Sequence, residues 1–239
     1  MKIANKIKAR LNQFAPGEVF TIQDFEVESQ NQPSLVRYLN RRVSQKELSR
    51  LSKGRYFKPR NTRFGQLLPG PEEVVKDFLI RNDKLIGYIS GVPAFARLGL
   101  TTQISSQILI GSSVYRRPIE RGNFKINFFL QRNEITESNI PLLQLLDAVK
   151  YFRKIPASTP NDVILHVSDI LREQTVEDRK IMLEAALLYP NYVRAVLGAM
   201  LENIGQPFAG LRLSLNGVTS YKLNISKTVL PTITNWNII

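Results

Sequence analysis

The spacing of apolar residues in the first 63 positions constrains the fold most, because it places helices and short strands in a fixed order. Four apolar residues near the start share helical spacing: Ile3, Ile7, Leu11 and Phe14. They predict a helix over residues 2–14 that ends before Gly17. Residues 18–21 read as a strand, and Thr21 can cap a brief helix over residues 22–25. Pro33 suits the first turn of a third helix, which runs to about residue 44.

The third predicted helix has two faces of opposite character. At about 100° per residue, its apolar residues fall on one side: Leu35, Val36, Leu39 and Val43. The other side carries residues suited to phosphates and base edges, namely Ser34, Arg37, Arg41 and Ser44, flanked by Tyr38, Asn40 and Arg42. We therefore expect a buried apolar stripe and an exposed polar face. For this helix alone, a solvated face without a ligand is the alternative.

A basic hairpin is predicted to follow this helix. Residues 48–52 and 55–58 read as strands joined across Gly54, which supplies the positive φ of a tight turn. Four residues are expected in a small core: Leu48, Leu51, Tyr56 and Phe57. Four basic residues are expected to project outward: Arg50, Lys53, Arg55 and Lys58. Three helices and a basic hairpin predict a winged helix–turn–helix, with its third helix in the major groove of DNA and its wing over the adjacent backbone or minor groove.

The charge of the chain is concentrated in the same segment. Residues 1–63 hold 14 Lys and Arg against 5 Asp and Glu, a net charge of +9 out of +13 for the whole chain. Such concentration is typical of a domain that binds a polyanion. The absence of cysteine excludes disulfides, thiolate catalysis and cysteine-ligated zinc. No apolar run suits a membrane span or a signal peptide, so we expect a cytoplasmic protein that binds nucleic acid rather than a membrane.

The remaining residues predict a second, larger domain. Residues 64–71, which contain two prolines and two glycines, are predicted to link a domain at 1–63 to a domain at 72–239. Helices are predicted at 72–80, 92–98, 139–151, 162–171, 176–188 and 192–204, strands at 107–111 and 124–130, and a terminal hairpin from 211–215 and 220–225. The expected fold class is α+β: an N-terminal winged helix–turn–helix followed by a mixed α/β to mainly helical C-terminal domain.

Several segments together resemble one known family. They are RLSKGRYFKPRNTRFG in the predicted wing, GYISGVPAFARLGLTTQ, PLLQLLDAVKYFRKIP, LYPNYVRAVLGAMLE and SLNGVTSYKLNIS. In their order and spacing they are similar to the AbiEi-type antitoxins of bacterial type IV toxin–antitoxin (abortive infection) systems, especially to the shorter branch of AbiEi-like proteins. The resemblance spans residues 1–230, and none of these segments is a catalytic motif.

This resemblance implies a function for each domain. The N-terminal domain would bind inverted repeats upstream of its own operon and repress it, and the second domain would supply antitoxin activity. The toxin would be a nucleotidyltransferase-like protein, and a stable contact with it is not required. Carried onto this chain, the DNA-contacting positions are Arg37, Asn40 and Arg41 on the third helix, and Arg50, Lys53, Arg55 and Lys58 on the wing. The resemblance implies no catalytic residue, metal or cofactor.

Other interpretations remain open at the level of sequence. Arg116, Arg117 and Arg121 lie between two predicted strands, either as an exposed loop or as a second contact for DNA phosphates, toxin or RNA. The chain could also be a protein-interaction adaptor that binds DNA only non-specifically, or a DNA-processing enzyme with a degenerate site. Gly111-Ser112 begins a nucleotidyltransferase pattern, but no aspartate follows before Leu130, so we predict no enzyme activity.

Overall fold

The structure is a computed structural model that describes residues 3–63 and 65–239. Lys2 of the first predicted helix and Phe64 of the predicted linker lie outside the described residues. The chain divides into two compact units. Unit 1 comprises the described residues up to Lys76 together with Ile119–Lys125, and unit 2 comprises Asp77–Pro118 and Ile126–Ile239. Helices and strands are mixed along the chain, so the fold class is α+β.

Unit 1 begins with two helices and a small antiparallel sheet. Its elements are α1 (Ile3–Gln13), β1 (Val19–Thr21), α2 (Gln32–Ser44), β2 (Ser49–Ser52) and β3 (Arg55–Phe57), and the strand order is β1-β3-β2. The predicted brief helix is a single 3₁₀ turn at Ile22–Phe25, which begins with a capping box between Thr21 and Asp24. Gly54 has a φ of +74°, which confirms the tight turn predicted between β2 and β3.

The core of unit 1 forms where the apolar faces of these elements meet. Phe14 stacks on Phe20 with 4.4 Å between ring centroids, and Phe25 packs against both rings. Leu35 and Leu39 of α2 are completely buried in the same cluster. The apolar stripe predicted for the third helix is therefore confirmed at these two positions, and burial of this stripe directs the opposite face of α2 to solvent.

The predicted linker is partly ordered as a strand. Residues Arg60–Thr62 form β4, which pairs antiparallel with β5 at Gly65–Leu67. The next helix, α3 (Pro71–Leu79), buries Val74 and Val75 completely. Within unit 1, the side chain of Glu73 accepts a hydrogen bond from the backbone N–H of Val19 at 2.9 Å. This contact explains why the chain as far as Lys76 belongs to unit 1, beyond the boundary expected from sequence.

Unit 2 combines short strands with a group of helices. The strands are β6 (Ile80–Arg81), β7 (Lys84–Leu85), β8 (Gly87–Ser90), β9 (Gln107–Ser112) and β11 (Phe124–Leu130), and the last three are neighbours in one sheet in the order β11-β9-β8. The strand β10 (Ile119–Arg121) precedes β11 in a hairpin. The tip of the β10–β11 hairpin, Ile119–Lys125, is assigned to unit 1. The helices are α4 (Val92–Arg97), α5 (Ile140–Tyr151), α6 (Pro160–Glu173), α7 (Val176–Ala186), α8 (Asn191–Asn203) and α9 (Ala209–Leu213).

Two of these helices form the centre of unit 2. Leucine, alanine and valine side chains cover most of the circumference of α5 and α8, and the buried apolar side chains of both helices belong to one cluster. A helix that is apolar on most sides is buried on most sides. The helix predicted at residues 139–151 is confirmed as α5. Among the described residues, no helix combines the length and the apolar character needed to cross a membrane.

The prediction of a terminal hairpin from residues 211–215 and 220–225 is wrong. Residues 211–213 belong to helix α9. Apolar and polar residues alternate here as in a strand, which would place Leu211, Leu213 and Leu215 on one face. Instead, Leu213 is 88% exposed while Leu211 is buried and Leu215 packs on the core. A strand would bury Leu213 together with its two neighbours on that face, so the exposure of Leu213 is what distinguishes the helix from a strand.

The end of the chain is held by Trp236 and a backbone bridge. Trp236 is almost completely buried, and its indole Nε1 donates a hydrogen bond to Glu202 Oε2 at 2.6 Å. Its ring lies so close to Gly198 of α8 that a Cβ at that position would be 2.1 Å from the ring. Tyr221 forms a parallel bridge with Ile238. Together these contacts tie the last residues to α8.

A buried carboxyl group links the sheet of unit 2 to its helices. Asp147 of α5 has no exposed surface. Its Oδ2 accepts hydrogen bonds from Tyr88 Oη at 2.7 Å and from Ser90 Oγ at 2.8 Å, both on β8. Its Oδ1 accepts a hydrogen bond from Tyr189 Oη at 2.9 Å. Burial raises the pKa of Asp147 to about 6, although the three donors favour the ionised form.

The raised pKa makes the stability of unit 2 dependent on pH. The folded chain holds the Asp147 proton more tightly than the unfolded chain does, so protonation of Asp147 stabilises the fold. This contribution is complete below the ordinary pKa of 3.8 and is lost as the pH rises through about 6. We predict that the free energy of unfolding of the wild type, minus that of the D147N variant, falls by about 2.4 kcal/mol between about pH 4 and about pH 7. Urea unfolding followed by circular dichroism measures this difference.

Asp83 provides a matched control for this experiment. It is exposed in the turn between β6 and β7, and its left-handed φ of 58° suits asparagine. The difference between wild type and the D83N variant should therefore stay constant over the same pH range. Parallel stability profiles for wild type and D147N would contradict the assignment.

Candidate nucleic-acid interface

The outer face of α2 presents two arginines to solvent. Arg37 and Arg41 lie one helical turn apart, on the side opposite the buried Leu35 and Leu39. Both arginines are exposed, and neither guanidinium group has a hydrogen-bond or ion-pair partner among the residues that the structure describes. Two adjacent guanidinium groups without a counter-charge are available to phosphates and base edges.

The predicted neighbours of these arginines have more varied surroundings. Ser34 is exposed at the start of α2. Ser44 is exposed at its end, but its hydroxyl donates a hydrogen bond to the backbone oxygen of Arg41 at 2.7 Å. Asn40 is exposed, and its Oδ1 accepts a hydrogen bond from Tyr56 Oη at 3.2 Å. That bond uses the amide oxygen and leaves the Asn40 NH₂ group as a donor on the same face.

Arg42 is engaged within unit 1. Its Nη1 forms an ion pair with Glu47 at 2.6 Å, and its Nη2 donates a hydrogen bond to Tyr38 Oη at 3.0 Å. The guanidinium also lies over the Tyr38 ring, 5.0 Å from the ring centroid. The hydrogen bonds to Tyr38 and Glu47 raise the pKa of Arg42 above its ordinary value. A DNA phosphate would therefore have to compete with Glu47 for Arg42, whereas the described residues offer no such competitor at Arg37 or Arg41.

The basic residues of the hairpin divide into two groups. Arg50 and Lys53 are exposed, and Arg55 is half-buried. Lys58 was predicted to project outward with them, and this is wrong. Its Nζ donates hydrogen bonds to the backbone oxygens of Phe14 at 2.7 Å and Asn12 at 3.2 Å, just past and at the C-terminal end of α1. The carbonyl groups at a helix end lack intrahelical partners and carry partial negative charge, which attracts this ammonium group.

The residues of the predicted second basic contact are divided between the two units. Arg121 is only 4% exposed, and its Nη1 donates a hydrogen bond to the backbone oxygen of Val74 at 2.6 Å inside unit 1. The prediction that it offers a surface contact is therefore wrong. In unit 2, Arg116 lies 5.2 Å from the centroid of the Phe78 ring, and Arg117 is exposed. Of the three arginines predicted as a second basic contact, Arg117 alone is exposed.

Lys46 is a basic surface residue that the sequence prediction did not assign to the interface. It follows α2, is exposed, and adopts a left-handed φ of 59°. Its side chain has no hydrogen-bond or ion-pair partner among the described residues. Lys46 belongs to the stretch from Arg37 to Arg63 in which basic residues are concentrated. It was not predicted as a DNA contact because it lies between the predicted third helix and the predicted hairpin.

Comparison with known proteins gives a family. The sequence model of a family of unknown function, DUF6088, matches residues 3–179. The chain belongs to this family. No curated protein matches this DUF6088 chain. Its fold is similar to that of the RV2827C protein from Mycobacterium tuberculosis, whose crystal structure aligns with a TM-score of 0.50 and 12% sequence identity over 91% of this chain and 83% of that chain.

The contacts of Lys58 predict a structural role in this DUF6088 protein. The K58M variant keeps the apolar stem but removes the donor to two backbone oxygens near the end of α1. We expect it to lower the free energy of unfolding by about 1–2 kcal/mol. The matched K53M variant removes an exposed lysine at the hairpin turn and should change stability by less than about 0.5 kcal/mol. Equal thermal stability of the two variants would exclude this role for Lys58.

Proposed function

We propose that unit 1 is a winged helix–turn–helix that binds double-stranded DNA through the outer face of α2. The observation that carries this proposal is the exposed, unpaired pair Arg37 and Arg41, opposite the buried Leu35 and Leu39. The major groove of B-DNA is about 12 Å wide and admits one α-helix. The face of α2 then brings Arg37, Arg41 and the Asn40 amide to base edges and phosphates together.

The hairpin of β2 and β3 supports this proposal as the wing. It follows α2 directly, and its turn carries the exposed Lys53 next to Gly54. Arg50 and Lys46 add positive charge on the same stretch of chain, and both are exposed. We assign the hairpin to sequence-independent contacts with the DNA backbone, because lysines and arginines on flexible stems suit phosphates, which carry no sequence information.

On the basis of the resemblance to AbiEi-type antitoxins, we further propose that the protein represses its own operon and neutralises a toxin. The DNA site would be an inverted repeat upstream of that operon, and access to it requires a cytoplasmic location. The toxin would be a nucleotidyltransferase-like protein, and neutralisation would not require a stable complex. Unit 2 is the candidate for this second activity because it has an apolar core of its own.

The DNA-binding proposal predicts the behaviour of a double variant. R37A/R41A should lower affinity for the upstream DNA by more than about tenfold, since one lost base contact costs about 1–3 kcal/mol. The slope of log K against log salt should become shallower by about 0.9 for each phosphate contact removed. Fluorescence anisotropy at several salt concentrations, with the upstream duplex and a scrambled duplex, measures both quantities.

The control K6A/K8A removes the same charge from the exposed side of α1 in the same unit. It should retain the preference for the upstream duplex, which we expect to be about a thousandfold for a specific repressor. Equal affinity of the wild type for both duplexes would reject the repressor and favour a protein-interaction adaptor. Divalent-metal-dependent cleavage of the duplex would instead favour a DNA-processing enzyme.

The antitoxin proposal predicts that neutralisation and DNA binding separate by mutation. When toxin and antitoxin are expressed from unrelated promoters, the wild type and R37A/R41A should restore growth equally, because the changed side chains lie on the surface of unit 1. Growth curves with the neighbouring nucleotidyltransferase-like gene measure this. Failure of the wild-type protein to restore growth would reject the antitoxin function and leave the DNA-binding proposal standing.

A further inference from the structure

Unit 2 contains a cavity that the proposed DNA-binding and antitoxin functions do not explain. Its volume is about 430 Å³, and it lies between the end of β11, the last turn of α5 and the start of α8. Three of its lining residues are cationic: Arg132, Lys150 and Arg194. None of the described residues that line it is acidic. A concave site with three positive charges and no lining carboxylate is suited to an anion.

The three cations are held in different ways. Lys150 is half-buried, with its Nζ 4.3 Å from the centroid of the Phe129 ring and 5.1 Å from that of Tyr151. Burial lowers the pKa of Lys150, and the neighbouring charge of Asp147 opposes that change. Arg132 is exposed, and its side chain has no partner among the described residues. The cavity thus offers one ammonium group placed by aromatic rings and one free guanidinium group.

Arg194 is fixed by contacts that leave its charge unbalanced. Its Nη1 donates a hydrogen bond to the backbone oxygen of Ser214 at 2.9 Å, and its Nη2 donates one to Asn191 Oδ1. Its Nε is buried and has no hydrogen-bond partner among the described residues. Both acceptors are neutral oxygens, so the positive charge of the guanidinium has no carboxylate counterpart there. An anion in the cavity would provide the missing counter-charge.

The start of α8 adds a second kind of anion-binding group. The helix is 13 residues long, and its N-cap residue is Pro190, which makes no side-chain capping bond. Proline has no side-chain acceptor, and its backbone oxygen accepts from the N–H groups of Val193 and Arg194. The N–H groups of the first two residues of α8 therefore remain as donors. Pro190 and Asn191 both line the cavity. Uncapped N–H groups and the positive end of the helix dipole favour phosphate at this position.

The wall of the cavity is kept rigid by the hydrogen bonds around Asp147. Gln131 Nε2 donates to Tyr88 Oη and to Tyr189 Oη, both at 2.9 Å. Gln131 Oε1 accepts from the backbone N–H and the side-chain amide of Asn133, both at 3.0 Å. Both the donor and the acceptor of the Gln131 amide are therefore hydrogen-bonded, and Tyr189 in turn donates a hydrogen bond to Asp147. A site whose polar wall is already fixed loses little conformational entropy when a ligand binds.

The rim of the cavity is apolar on one side. Leu187 and Leu188 are 46% and 49% exposed, and both line the cavity. We propose that this cavity binds a nucleoside phosphate, with the phosphate at Arg132, Lys150 and the start of α8 and the base against the two leucines. The volume is at the lower end of the range of small-molecule sites, about 300–1,000 Å³, and suits a mononucleotide.

Calorimetric titration of the full chain tests this proposal with four probes: AMP, ATP, adenosine and inorganic phosphate. AMP and ATP should bind, inorganic phosphate should bind more weakly than AMP, and adenosine should not bind. R132A and K150M should each weaken AMP binding by about tenfold or more, the effect of losing one charge-assisted contact. K150M keeps the apolar stem against Phe129, so the fold should be retained.

Two control variants separate this site from general attraction to a basic protein. K180A removes one positive charge from an exposed position of α7 that does not line the cavity, and R37A/R41A removes the proposed DNA contacts in unit 1. Both should bind AMP as the wild type does. The proposal is overturned if AMP gives no heat of binding, if K180A weakens binding as much as K150M, or if binding is lost only in R37A/R41A. Adenosine or phosphate binding as tightly as AMP would also overturn it.

Discussion

Burial of one face of α2 is the constraint on which the proposed interface depends. Leu35 and Leu39 cannot leave the aromatic cluster of unit 1 without exposing apolar surface, so the rotation of the helix about its axis is fixed. Arg37 and Arg41 point outward as a consequence and need no contacts of their own to hold them there. The same packing that stabilises unit 1 thus creates an unpaired basic surface, and the hydrophobic core determines where the charge is displayed.

In unit 2 a polar cluster has the organising role. Asp147 accepts hydrogen bonds from two residues of β8 and from Tyr189, which lies two residues before α8, so one carboxyl group fixes the sheet relative to two helices. Such a group is costly to bury, and its three donors offset that cost only in part, as the raised pKa shows. Apolar residues could fill this volume without the penalty. Apolar residues could not, however, hydrogen-bond to Tyr189 or hold Gln131 in place, and these two side chains form one wall of the cationic cavity.

Local pattern and tertiary contact explain which predictions from sequence succeeded. The period of the apolar residues predicted α2, and Gly54 between two short apolar segments predicted the β2–β3 hairpin. Both elements could be predicted because each is determined by residues that are neighbours in sequence. Leu211–Leu215 was misassigned because its alternation fits a strand, and only contact with the distant core distinguishes a helix. The buried Arg121 and the engaged Lys58 could not be recognised, since their partners lie 47 and 44 residues away. The cavity was missed for the same reason.

The number of basic residues in a sequence therefore overstates the charge that a surface can offer to DNA. Of the predicted contacts, Arg42 is paired with Glu47, and Lys58 donates hydrogen bonds to carbonyl groups near the end of α1. Neither releases a counterion from DNA without first breaking an internal bond, so each contributes less to the salt dependence of binding than an unpaired residue does. Arg37, Arg41 and Lys53 carry no such penalty. The DNA interface that we propose is thus smaller than the basic segment of the sequence, and it is centred on α2.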